Sequence, residues 1–97
     1  MYILMLTYTA PLNAVDALLD SHKAWLAEHI ASGVFVLAGR RVPRSGGFIL
    51  AVGIDRARLD AIIAADSFVT GGVALYDVYE VTPTVASEAL TSLLPTA

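Results

Sequence analysis

Two ionisable side chains interrupt apolar faces in this chain, and together they define the chemistry it could perform. The first is His22. On a wheel turned by about 100° per residue, Val15, Leu19, His22, Leu26 and His29 share one narrow arc, flanked by Leu18, Trp25 and Ile30. The second is Asp66, which follows Leu59 by two helical turns and so continues the buried stripe of a second helix. A buried polar group without a hydrogen-bond partner costs about 1–3 kcal/mol, so each of these residues needs a partner, and each is the natural partner of the other. An aspartate beside an imidazole orients the ring and stabilises its charged form, which is what a general acid or base requires. The contact favours imidazolium while burial opposes it, so the two groups would titrate as a pair.

Other chemistries lack their residues. There is no cysteine, hence no thiol nucleophile, disulfide or zinc–thiolate site. No serine-nucleophile signature occurs. His22 and His29 stand seven apart, without the i, i+4 spacing of a zinc helix, so we expect no metal and no cofactor. His29 sits near the helix end, where the dipole favours a cation, and reads as structural. The pair itself also has a structural reading. His22 could be a satisfied core residue, and Asp66 could cap the turn Ser67-Phe68-Val69-Thr70, the more so because a carboxylate at a helix C-terminus opposes the dipole.

Two further groups could hold a substrate. Arg40, Arg41 and Arg44, on the turn before Ser45-Gly46-Gly47, could bind a carboxylate or phenolate, or simply form a solvated hairpin tip. Tyr8, Trp25, Phe35, Phe68, Tyr76 and Tyr79 could wall an aromatic pocket or fill the core. From these we take Arg40, Ser45, Phe68 and Tyr8 as candidate substrate-binding residues.

The elements that must position these groups follow from periodicity. Tyr2–Tyr8 reads as a strand. A helix starts at Asn13 as N-cap, with Asp16 in its first turn, and Gly33 stops it in the C′ position. Residues 34–38 and 48–54 read as strands around a turn over 40–47. Asp55 caps a second helix whose stripe is Leu59, Ile62 and Ile63. A bend at Gly71-Gly72 leads into a last strand over 74–82, ended by Pro83, and residues 84–94 suggest a short terminal helix. The order β-α-β-β-α-β predicts an α+β, ferredoxin-like domain, a four-stranded antiparallel sheet with two helices on one face. No repeat or linker divides residues 1–97, so one domain with a tail over 84–97 is expected.

Composition then raises a problem of surface. Of 97 residues, 57% are hydrophobic and 15% charged, and mean hydropathy is +0.69; average domains hold about 45–50% and about 25%. The apolar runs 33–39 and 46–54 are far shorter than the roughly 20 residues of a membrane span. The N-terminus lacks the basic region of a secretory signal, so a cytoplasmic protein is expected. A net charge of −3 leaves no footprint for nucleic acid or anionic lipid. The surplus lies in the strands. Ile3 and Met5 oppose Tyr2, Leu4 and Leu6; Phe35 and Leu37 oppose Val34, Val36 and Ala38; Phe48, Leu50 and Val52 oppose Ile49 and Ala51. Helices cover one side only, so the other should be covered by a second copy in a homodimer. Burial of ~800 Å² there would contribute on the order of 20 kcal/mol before association costs, and no stable monomer is expected.

His22, Gly33, Val36-Leu37-Ala38-Gly39, Gly47, Asp66-Ser67-Phe68, Gly72 and the strand from Tyr76 are spaced as in the YCII-related family, which the chain resembles from Tyr2 to Pro83. The resemblance implies a dimeric α+β barrel and a His–Asp active-site dyad, which would be His22 and Asp66. It also implies proton-transfer chemistry, since the family includes a dehydrochlorinase acting on a chlorinated aromatic ring and muconolactone isomerases share the barrel. Two departures stand out. Ser67 replaces the usual proline, and Arg40 replaces the proline that commonly follows Ala-Gly, which alters the cleft rim. The function expected is a cofactor-independent lyase or isomerase in which His22 moves a proton on a small apolar or cyclic substrate. The alternative is a ligand-binding or assembly module in which the pair is a sealed polar tie. The two differ in whether His22 reaches solvent.

Overall fold

Alternating apolar residues in Tyr2–Tyr8 (β1) leave two faces to cover, and the computed structural model, which describes residues 1–95, shows how each is treated. The chain runs β1, α1 (Leu12–Ala17), α2 (Leu19–Ala31), β2 (Phe35–Arg40), β3 (Gly46–Ala51), α3 (Arg56–Ala64), α4 (Ser67–Thr70), β4 (Ala74–Glu80) and a 3-10 helix (Glu88–Leu93). The strands form one antiparallel sheet in the order β2-β3-β1-β4. The helices lie on the face that carries Leu4, Leu6, Ile49 and Ala51, all buried. This is the α+β ferredoxin-like arrangement. Trp25 and Leu59 join Leu4 and Phe35 in one core cluster, while Val15 and Phe68 join Leu6 in a second, beside the first. Among the described residues no helix is long and apolar enough to cross a membrane.

Several boundaries differ from expectation, each for a local reason. The first helix begins after Pro11 rather than being capped by Asn13; proline fits a helix start because it has no N–H to satisfy. The helix breaks at Leu18, whose backbone (φ −107°, ψ 3°) ends α1 and starts α2. The Leu18 carbonyl at this break accepts from Ser67 Oγ at 3.2 Å, a bond that ties α4 to the junction. Gly33 does sit past the end of α2 with φ +82°, the left-handed conformation that stops a helix. Asp55 caps α3 as expected, accepting from Arg58 N at 2.8 Å. Strand β3 starts at Gly46 rather than residue 48, because it pairs with β1 at closer range than side chains allow: a Cβ on Gly46 would lie 1.8 Å from the Leu6 carbonyl. The tail is irregular until Glu88 and then forms a 3-10 turn, with Val85 and Leu90 left exposed.

The most consequential difference is in β2. A register shift between Phe35 and Leu37 sets Val36 aside as a bulge, so Phe35 pairs with Ala51 and Leu37 with Leu50. Strict alternation would put Phe35 and Ala38 on opposite faces. The bulge puts both on the helix-covered face, and with them Arg40, which pairs with Gly47 opposite Leu6. On the other side of the sheet Ile3 lies between Leu50 and Tyr79, and Met5 between Phe48 and Asp77.

Candidate active site

His22 lies on α2 one turn past the Leu18 break, and Asp66 lies in the tight link between α3 and α4. Their side chains meet: Nδ1 of His22 is 2.7 Å from Oδ1 of Asp66, both residues being buried. Asp66 is also the N-cap of α4, its Oδ1 accepting from Phe68 N at 3.0 Å. The expected conflict with a helix dipole is therefore reversed, since this carboxylate faces the positive end of the helix that follows it. The pairing and the capping, weighed above as alternatives, occur in the same side chain.

A third donor completes the set. Tyr76, on β4, donates its hydroxyl to Asp66 Oδ2 at 2.7 Å. Burial pushes the Tyr76 phenol well above the ordinary tyrosine range, and the Asp66 charge pushes it further, so it stays a donor. With two donors already committed to Asp66, His22 Nδ1 carries the third proton, which leaves Nε2 as the basic nitrogen. Among the described residues Nε2 has no hydrogen-bond partner, yet no fully buried side-chain nitrogen or oxygen lacks one, so Nε2 is not sealed from solvent. The ring is held flat by Phe68, stacked at 3.9 Å between centroids and 5° between planes. Trp25 sits beyond it at 5.5 Å, with its indole N–H donating to the Ile62 carbonyl at 2.9 Å.

His22 lines a cavity of about 580 Å³ between the helices and the sheet, within the range of small-molecule sites. Gly47, opposite Leu6 on the covered face, also lines it, and β2 passes so close there that a Cβ on Gly47 would lie 2.7 Å from the Gly39 carbonyl. Of the sequence-derived candidates, Tyr8, Arg40 and Phe68 line the same cavity. Ser45 does not; its hydroxyl donates to the Pro43 carbonyl at 3.3 Å. Asp66 lies behind the imidazole and reaches the cavity only through it. Of the other arginines, Arg41 turns to Thr7 Oγ1 at 3.1 Å, whereas Arg44 lines the cavity with its guanidinium on Asp16 and 6.0 Å above the Tyr8 ring. The Arg44 bond holds the Asp16 carboxyl below its ordinary range. Trp25 and Phe35 fill the core, and Tyr79 lies on the opposite side of the sheet. Sequence reasoning missed Lys23 and Asp16 at the cavity and the part played by Tyr76. Lys23 could have been found, since it follows His22 directly. Tyr76 alternates with Val78 on its strand and reads there as core.

Comparison with known proteins agrees with this architecture. Residues 1–83 match the family model of the YCII-related domain. Among solved structures the chain is similar to the 5-chloro-2-hydroxyhydroquinone dehydrochlorinase of Burkholderia phenoliruptrix in complex with 2,5-dihydroxybenzoquinone. The two share 15% identity at a TM-score of 0.63, over 84% of this chain and 94% of that one. No match was found among curated proteins.

Proposed function

The chain belongs to the YCII-related family, and from that footing we propose that it is a cofactor-independent lyase or isomerase acting on a small cyclic substrate. His22 Nε2 removes a proton from an activated carbon. The electron pair left behind expels a leaving group in the lyase case, or takes up a proton at another carbon in the isomerase case. Asp66 holds the ring in the tautomer that makes Nε2 basic and stabilises the imidazolium once it forms. The observation that carries this reading is the asymmetry of the imidazole: one nitrogen is committed to a buried carboxylate, and the other is unpartnered, solvent-accessible and in a residue that lines the cavity. A sealed structural tie would leave that second nitrogen paired or shut off from solvent. The dehydrochlorinase of like fold makes chlorinated hydroquinones a reasonable first class to assay, with lactones second.

Chloride release, lactone isomerisation and exchange of carbon-bound hydrogen in deuterated water would be measured for the native chain and for His22→Ala. We expect turnover to fall about 10²- to 10⁴-fold in the variant. Unchanged turnover would end the catalytic reading.

The open face of the sheet is, in the same proposal, the seat of a second copy of the chain. Leu37, Leu75 and Tyr79 are each more than half exposed there and lie around Ile3, Met5 and Leu50 in an apolar surface, broken on β4 by Asp77, of the kind that monomers rarely leave wet. Sedimentation at micromolar concentration tests this, and a folded single subunit would overturn it.

A further inference from the structure

Charge is distributed unevenly between this cavity and the rest of the chain. Overall there are six Lys and Arg against nine Asp and Glu. Around the cavity the balance is reversed, with Lys23, Arg40 and Arg44 facing one surface carboxylate, Asp16. Arg44 is already neutralised, because it holds that carboxylate. Lys23 and Arg40 have no ion-pair partner among the described residues. They approach from opposite walls. Lys23 comes from α2 directly after His22, and Arg40 from β2, turned onto the covered face by the bulge at Val36. Asp66 is fully buried behind the imidazole, its charge taken up by three donors. Between the two cations the walls are apolar or aromatic: Leu6, Leu19, Leu26, Ala38 and the Phe68 ring.

An apolar cleft with two uncompensated cations at its mouth suits a ligand with an apolar body and an anionic end. Phosphate is the poorer fit. Isolated side-chain cations on opposite walls provide no cradle of backbone N–H groups, whereas a guanidinium matches the two oxygens of a carboxylate with a planar pair of donors. Resting on the proton-transfer reading above, we propose that the substrate is a small cyclic carboxylate. Its ring lies against Phe68 and His22, and its carboxylate is bound by Arg40 with Lys23 opposite.

The probes are benzoate, cyclohexanecarboxylate, benzamide, phenol and inorganic phosphate, each titrated against the full chain. The readouts are the His22 imidazole resonances and the fluorescence of Trp25, which lies 5.5 Å from the His22 ring. Both carboxylates should saturate at millimolar concentration or below, at least tenfold more tightly than the uncharged benzamide. Arg40→Ala should weaken benzoate about tenfold and Lys23→Ala about threefold, while Arg56→Ala, outside the cavity, leaves it unchanged. Benzamide or phenol binding as tightly as benzoate would overturn the proposal, as would phosphate binding as tightly, no saturation by either carboxylate, or full benzoate affinity in Arg40→Ala. Arg40 is exposed, so that variant should fold, and circular dichroism checks it. His22→Ala separates the two claims. Benzoate binding kept in that variant, read by Trp25, together with unchanged turnover would remove the proton-transfer reading and leave the carboxylate seat standing.

Discussion

The two faces of the sheet have similar residues and opposite fates. On one, Leu4, Leu6, Ile49 and Ala51 are at most 3% exposed. On the other, Leu37, Leu75 and Tyr79 are 53%, 66% and 55% exposed. In three of the four strands nothing in the sequence marks one set for burial, because both faces carry the same apolar types. The helices make the difference, and they also account for the polar groups: the covered face admits His22, Asp66 and Tyr76 only as a network in which, among the described residues, every fully buried donor and acceptor is engaged and the unpartnered His22 Nε2 keeps contact with solvent. The open face carries Asp77 at its rim and tolerates it by exposure alone. Burial therefore imposes a polar geometry, and exposure does not.

The contrast is broken most sharply at Asp66. Asp66→Ala strands three donors in a closed interior and should cost about 3–5 kcal/mol in chemical denaturation. A loss below about 1 kcal/mol would mean that the covered face does not depend on its network. Next comes the open face. Leu37→Asp should cost about 2 kcal/mol and convert a dimer to monomers in sedimentation if a second copy covers that side. In a chain that is monomeric throughout, a change at so exposed a position would stay within about 0.5 kcal/mol.

Tyr76→Phe sharpens the comparison within the network, removing one donor and leaving the packing. A loss of about 1.5 kcal/mol near neutral pH is expected. Its pH dependence carries a sign. The folded-state pKa of Tyr76 lies above its ordinary 10.0, so its contribution is complete below pH 10 and is lost as the pH rises beyond it. The variant should accordingly lose less stability than the native chain between neutral and strongly alkaline pH. The smallest effect belongs to Asp16, at the rim. Its folded-state pKa is depressed below 3.8, so the contribution of its pair with Arg44 is present above that value and fades as the pH falls through the folded-state pKa. Asp16→Asn should remove that acid dependence, and added salt should mask it, since the pair is exposed.

The outline of this protein was determined by sequence alone, through local patterns. Apolar, strand-favouring runs bounded by turn residues and the 3.6-residue repeat of the helices specify the ferredoxin-like order, and His22 and Asp66 stand out because an ionisable group on an apolar stripe must find a partner. Gly33 and Asp55 mark helix ends by local backbone chemistry, which needs no tertiary context. The remaining features required the folded chain. Tyr76 alternates correctly with apolar neighbours, so its bond to Asp66 is invisible until β4 lies beside β1. The bulge at Val36, which brings Phe35 into the core and Arg40 over the cavity, reflects competition between strand register and core packing. That competition is decided by contacts between residues far apart in sequence. So is the double role of Asp66 as cap and partner, since it depends on α2 crossing the link between α3 and α4. Local patterns carry information about a residue's own turn or strand, while a site assembled from four elements depends on how those elements meet.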